Sequence, residues 1–354
     1  MQSPSQGRHA VTGHKRPQTK ASYAELKRRI KEHGLLEKQP GFVTGRMLVT
    51  FSLLGLSVAL LFITKSLWLQ VPNAVFMALV FGHIGFIAHD VGHRQGFRKP
   101  RTNDVIGLVH ANLLLGMSFG WWLDKHNAHH ANPNQHDLDP DIDIGVIAFS
   151  EEDALARRGL FRFLVRYQAI FFFPMLLFQA WTLRIGSISF LLNHRWRYRK
   201  VEILLMVLHA VLYLGVIFGA LGFWRGLLFI VIQQALFGFY LASVFAPNHK
   251  GMLVLDADAK IDFLQQQILT ARNVYAHRLT NFWYGGLNFQ IEHHLFPTMA
   301  RNKLTAAHRI VKQFCTDHGI PYYETSIFGS YREILQYLHH VSAPLRTRGR
   351  AVSS

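Results

Sequence analysis

Four apolar runs constrain this chain more than anything else in it: residues 47–64, 74–88, 202–223 and 227–245. The first places 18 residues in a row without a charge, enough for a helix to cross the hydrocarbon core of a bilayer. Inside lipid every backbone N–H and C=O must pair within the spanning structure, and runs of this length do so as helices. They come in two pairs, the first joined by residues 65–73 around Pro72 and the second turning at Trp224-Arg225. The expected fold class is an all-α integral membrane protein with four transmembrane helices in two hairpins. An apolar fraction of 50% with 28 phenylalanines sets aside the two soluble domains that the length alone would allow.

Charge gives the orientation. Of 38 lysines and arginines, only Lys65 and Arg225 fall within residues 47–88 and 201–247. Arg46, Arg94, Arg98, Lys99, Arg101, Arg197, Arg199, Lys200 and Lys250 flank the ends of the runs. The positive-inside rule then predicts that both termini, the middle loop and everything after the last run are cytoplasmic. The net charge of +17 fits an anionic membrane surface; no nucleic-acid signature accompanies it, so no nucleic-acid partner is expected. Cys315, alone of its kind, excludes an intramolecular disulfide and a thiolate metal set. The basic, polar N-terminus predicts no cleavable signal peptide, and disorder over residues 1–20. Residues 22–33 read as a basic amphipathic helix lying on headgroups and stopped by Gly34. The expected organisation is a cytoplasmic segment over 1–45, a membrane domain over 46–325 and a cytoplasmic tail over 326–354.

Seven of the 21 histidines fall in three short runs: HDVGH at 89–93, HNAHH at 126–130 and QIEHH at 290–294. Spacings of three and four put the imidazoles of one run on one helical face. Imidazole suits iron, zinc and copper, and several converging rings can hold more than one ion. The run 74–88 delivers His89 and His93, and 227–245 delivers Asn248 and His249 to the same side. An interfacial or re-entrant helix over 103–122 leads into HNAHH, and a second helix, over 161–185, lies at or dips into the interface. A helical cap over the two hairpins would therefore hold a histidine-rich dimetal site. His83, inside a span, reads equally well as a satisfied interior residue and stays outside that set. Asp137, Asp139, Asp141 and Asp143 are either acceptors for metal-bound imidazoles or turn residues, and at least two are expected to be the latter. A membrane metal transporter would need ionisable residues buried along a crossing path, and 227–245 offers only Gln233 and Gln234.

In order and divided by a membrane hairpin, the three runs resemble the histidine boxes of the membrane fatty acid desaturases, over roughly residues 40–325. Gln290, where most such enzymes place a histidine, makes the third box similar to that of the front-end branch, and the bacterial members of that branch share it. The resemblance implies a di-iron centre (two iron ions), dioxygen as co-substrate and a fatty acyl substrate carried by coenzyme A or a lipid. It implies metal ligands at His89, His93, His126, His129, His130, His293 and His294, with His249 as the further histidine after the last span. Gln290, Asn248, Asp90 and Glu292 would support them. The product would carry a double bond on the carboxyl side of an existing one; a hydroxylase of the same superfamily is the alternative. Residues 1–45 carry no haem-binding His-Pro-Gly-Gly, so a separate ferredoxin or flavin reductase is the expected electron donor. Lys250, Arg301, Lys303, Arg309 and Lys312 would form its basic docking face. Trp121, Trp122, Phe282, Trp283 and Tyr284 are expected to wall a substrate channel. The implied location is a bacterial plasma membrane with the site on the cytoplasmic side.

Overall fold

A computed structural model describes residues 22–347, so the disorder expected over 1–20 lies outside the described residues. The chain begins with α1 (Tyr23–Glu32), α2 (Pro40–Ile63), α3 (Leu67–Gly92) and α4 (Pro100–Gly107), which continues as a π-helical segment over Leu108–Leu114. Then come α5 (Phe119–Ala131), α6 (Glu151–Ala156), α7 (Gly159–Arg166), α8 (Gln168–Leu176), α9 (Gln179–Asn193), α10 (Arg199–Leu221) and α11 (Phe223–His249). The remainder holds α12 (Phe263–Leu269), α13 (Arg278–Trp283), α14 (Gln290–Leu295), α15 (Leu304–His318), α16 (Ile327–Val341) and α17 (Ala343–Thr347). Two short strands, β1 (Asn273–Val274) and β2 (Glu324–Thr325), pair in parallel.

Among the described residues α2, α3, α10 and α11 are long and apolar enough to cross a membrane. They fill unequal roles. In α3 and α11, 67% and 61% of the apolar window is buried in protein, against 17% in α2 and in α10. The first two are therefore the inner pair, and the outer two present Leu48, Phe62, Leu204 and Val211 to lipid. A Cβ at Gly82 would lie 2.2 Å from the Tyr240 ring, so this glycine lets α3 and α11 close on each other, as small residues do between membrane helices.

Both links between the long helices differ from expectation. Helix α3 starts at Leu67 and runs through Pro72, because the Gln70 amide donates to the Leu60 and Thr64 carbonyls (2.8 and 2.7 Å) and finishes α2 without a longer turn. The Ser57 hydroxyl then donates to Asn73 (2.7 Å), tying the two helices below that turn. Between α10 and α11 the chain reverses at Gly222, whose φ of 74° is a left-handed value that glycine takes freely, and not at Trp224-Arg225.

The two expected interfacial helices are each broken. The axis bends by 112° between residues 100–114 and α5, and by 101° between α7 and α8. At the first break Glu202 sits buried against the start of α5, where a carboxylate is favoured. It accepts from the Ser118 hydroxyl (2.5 Å), Gly120 N–H (2.9 Å), the Trp196 indole (2.8 Å) and Asn112 (3.2 Å). At the second, the Gln168 side chain bonds both backbone groups of Ala148 and the Leu338 carbonyl, pinning the chain as α8 begins.

Across the His89 and His249 ends of the inner pair lies a layer of short helices with its own core. Leu26 and Ile30 of α1 share that core with Ile268, Ile291, Leu295 and Phe314. The apolar face of α1 therefore packs on protein and not on headgroups, and the Tyr23 hydroxyl donates to the Leu295 carbonyl (2.8 Å). Helix α16 packs Ile334 and Leu338 against Phe172 and Ala246, so 326–347 is folded onto the membrane helices. Replacing Glu202 by Ala strands several buried donors and should cost about 3 kcal/mol or more, with Glu202→Gln losing less because an acceptor oxygen remains. Thermal unfolding in detergent measures this; equal midpoints for Glu202→Ala and wild type would show that the carboxylate does not hold the break.

Candidate metal centre

The three runs meet because four helix termini meet. His89 lies in the last turn of α3 with His93 as its C-cap; His249 ends α11; HNAHH closes α5; QIEHH opens α14. One ring nitrogen from each of His89, His93, His126 and His293 lies within 4.8 Å of the others, and His129, His249 and His294 form a second such group. His130 stands between them, its Nε2 3.1 Å from that of His126 and its ring stacked 4.1 Å from His294. All eight histidines expected from the sequence are thus brought together. Consecutive helical residues diverge by about 100°, which sends His293 to one group and His294 to the other.

Hydrogen bonds set the ring orientations in the second group. His129 Nδ1 faces the Asp139 carboxylate at 2.9 and 3.0 Å, His249 Nδ1 the Thr270 carbonyl at 3.0 Å, and His294 Nδ1 the Gln267 amide oxygen at 2.8 Å. Each acceptor takes an Nδ1–H and turns an Nε2 lone pair inward. The Nε2 atoms of His249 and His294 are 3.0 Å apart, those of His129 and His249 3.3 Å. In the first group both nitrogens of His89 and of His293 are buried without a partner. Burial, with neighbouring imidazoles, holds His293 and His294 well below the ordinary histidine value, so these rings are neutral. Inward lone pairs facing one another, with the Gln290 amide beside His249 as the one donor to this group among the described residues, are an arrangement that bound cations satisfy, and the residues fit two metal ions.

The supporting residues are partly those expected. Asp139 orients His129, and Asp141 lies 3.6 Å from the same nitrogen while pairing with Lys125; Asp137 is an exposed turn residue and Asp143 is exposed in an irregular stretch. Gln290 holds its amide nitrogen 2.9 Å from His249 Nε2, and Asn248 donates to the Gln290 oxygen (3.0 Å). Asp90 and Glu292 make their short contacts to residues other than the clustered histidines. Asp90 is 3.7 Å from His89 Nδ1 and ion-pairs with Arg301 at 2.6 Å; Glu292, turned away from its histidine neighbours, accepts from Asn273 (2.7 Å) and Tyr322 (2.6 Å). Gln267 and Thr270 are supports that the sequence does not announce, since one amide and one backbone carbonyl leave no spacing signal. His83 lies apart from both groups, 3.2 Å from Arg46. A Cβ at Gly92 would come within 2.3 Å of Trp122, which stacks on His126 at 4.4 Å. The glycine in HDVGH is therefore room for that indole.

A cavity of about 190 Å³ runs past His89, His126, His129 and His293. Trp121, Trp122, Ile147, Phe172, Leu176 and Leu183 make it apolar; Lys125, Asp141 and Lys250 add polar groups to its wall. Burial pushes the Lys250 ammonium down to about 8, against the pull of Asp139. Of the expected channel aromatics, Trp121 and Trp122 line it. Phe282 faces outward, Tyr284 is buried with Phe86 and Tyr240, and Trp283 packs beside them. The expected basic face is also reduced: Arg301 is buried on Asp90 and Lys250 turns inward to the Asp141 carbonyl, leaving Arg309 and Lys312 exposed and Lys303 half-buried.

The family model described as fatty acid desaturase matches residues 66–326. The chain is 30% identical over 343 residues to an acyl-lipid (9-3)-desaturase of Physcomitrium patens, covering 92% of this chain and 63% of that protein. It is 30% identical to a Delta(6)-fatty-acid desaturase of Caenorhabditis elegans, over 92% of this chain and 76% of the relative. To a Delta(8)-fatty-acid desaturase of Euglena gracilis it is 31% identical, over 85% and 74%. The chain thus spans just under two thirds of the Physcomitrium patens relative and about three quarters of the other two. If Trp122 positions HNAHH, Gly92→Ala should lower the metal content of the purified protein by about tenfold, as loss of ligand support does. Elemental mass spectrometry reads this directly; undiminished metal in Gly92→Ala would mean the indole yields and the ligands do not depend on it.

Proposed function

The chain belongs to the fatty acid desaturase family, and from that premise we propose that it desaturates a fatty acyl chain, carried by coenzyme A or a lipid, using dioxygen and two electrons supplied from outside. The observation that carries this is the pair of buried imidazole groups opening onto one apolar groove. Two irons, held by His89, His93, His126 and His293 on one side and His129, His249 and His294 on the other with His130 between, would supply the oxidising power that an unactivated methylene demands and no side chain offers.

The protein's own residues do the rest. Trp121, Trp122, Phe172 and Leu176 align the chain along the two groups and keep water away from it. Lys125 and Lys250 offer the carboxyl end of the acyl group a polar anchor. Asp139, Thr270 and Gln267 keep three imidazoles in the tautomer that presents Nε2. Gln290 stands on the groove wall beside His249, held by Asn248; a half-turn of its amide, giving up the Asn248 bond, would aim the oxygen at the same point. Such a fixed anchor and a fixed centre measure from the carboxyl end, the counting a front-end enzyme needs, and relatives named Delta(6) and Delta(8) support that branch.

On this reading the membrane part, residues 46–325, would be two hairpins with the helical layer as a cap, and the flanking basic residues support a cytoplasmic side for cap and termini. A separate ferredoxin or flavin reductase would dock on the exposed side of α15, where Arg309 and Lys312 lie.

A desaturase-poor host expressing the chain and fed an unsaturated eighteen-carbon acid should gain a double bond on its carboxyl side, seen by mass spectrometry of its fatty acids. A hydroxylated product would overturn the reading, and a monoene made readily from stearate would overturn the front-end part alone. Gln290→Leu should lose activity by about tenfold or more while Gln290→His retains it; full activity in Gln290→Leu removes that residue from the site.

A further inference from the structure

On the far side of the segment that carries Leu287 and Gln290 to the groove lies a second cavity, of about 300 Å³. Its charged lining is one-sided. Arg46 of α2 and Arg301 both face it with the neutral donors Asn281, Asn302 and Thr305, and no carboxylate lines it among the described residues. Arg301 is only 6% exposed. Its Nε is bound to Asp90 and its Nη1 donates to the Gly285 carbonyl (2.5 Å), yet its Nη2 is buried with no partner at all. A guanidinium N–H left without an acceptor costs about as much as a lost hydrogen bond, more because the group is charged. Asp90 neutralises one of the two guanidinium groups at most, so the cavity keeps a positive charge.

Its position matters as much as its charge. Phe42 and Phe282 form part of the rim, and Phe282 is 54% exposed with Leu279 beside it at 73%. Leu48 and Val49, two turns further along α2, are lipid-facing at 63% and 53%. The mouth therefore opens where the first membrane helix leaves the bilayer, with apolar surface on the membrane side and Asn302 and Thr305 on the other. We propose that this cavity binds the phosphate of a membrane phospholipid headgroup: Arg46 and Arg301 take its oxygens, the neutral donors complete the shell, and the acyl chains lie against the exposed face of α2 and Phe282. The free Nη2 of Arg301 beside a second guanidinium gives charge-assisted donors for phosphate oxygens, and phosphate is the oxyanion that a membrane holds at this depth. The site is separate from the groove, since the 285–289 segment presents Leu287 to one and Gly285, Gly286 and Phe289 to the other.

Native mass spectrometry of the full chain, released from micelles doped with equal phosphatidylglycerol and diacylglycerol, tests this. Wild type should retain one phosphatidylglycerol and no diacylglycerol. Arg46→Gln should retain it roughly tenfold less, the scale expected for a charge-assisted phosphate contact. Thr305→Glu, an exposed change that sets a carboxylate at the mouth, should do the same if Arg46→Gln proves unstable. Equal retention in wild type and both variants overturns the site. A second arm adds inorganic phosphate alone and follows thermal unfolding: stabilisation that vanishes in Arg46→Gln, without lipid retention, overturns the lipid source and assigns the cavity to free phosphate.

Discussion

Neutral imidazoles turn lone pairs toward one another only when something else holds them there. In this chain that holding is done from outside the cluster. Asp139, Thr270 and Gln267 each take an Nδ1 proton and so decide which nitrogen points inward. The alternative tautomer would leave a buried acceptor unpaired behind each ring. Burial adds to this at His294, where a protonated imidazole would lose its hydration without gaining a counter-charge. The centre is therefore prepared for cations by its surroundings as much as by its histidines.

The membrane architecture supplies the other half of that preparation. Two inner helices, shielded by two outer ones, end at the same level, and their last turns carry His89 and His249. The remaining histidines sit on short helices that could drift unless tied down. Arg301 ties the segment after QIEHH to Asp90 of the first run, and Glu292, Asn273 and Tyr322 lock α14 to the strand pair. The acidic residues interleaved with the ligands thus work on the backbone frame, while the orientation of the rings falls to residues elsewhere in the chain.

Much of this architecture is legible in the amino-acid sequence, and the reasons differ by level. The four spans are legible because a long uncharged apolar run has few stable states other than a membrane helix. Seven histidines are legible because helical spacing repeats them, and the eighth, His249, because it follows a span end directly. What stays hidden is whatever depends on rotation about a helix or on a single contact. Nothing in QIEHH says which way residue 292 turns, and nothing in FLQQQIL marks Gln267 as the partner of His294. The broken helices over 100–131 and 159–176 are equally hidden, since the agents of the breaks, Glu202 and Gln168, act through contacts with segments remote in sequence. Basic residues mislead for a related reason: composition counts Arg301 as surface charge, while the fold buries it on Asp90.

The distribution of ligands along the chain also sets an order of events during biosynthesis. Three members of the first group, His89, His93 and His126, emerge from the ribosome early, whereas the second group has only His129 until His249 and His294 follow. Chains emerge from their N-terminal end and fold as they do. A nascent chain halted before its last third therefore owns most of one metal pocket and almost none of the other. Were both groups to take up metal, metallation of the pair would wait until all four long helices are inserted and α14 has docked, which would make completed membrane insertion a checkpoint for loading it.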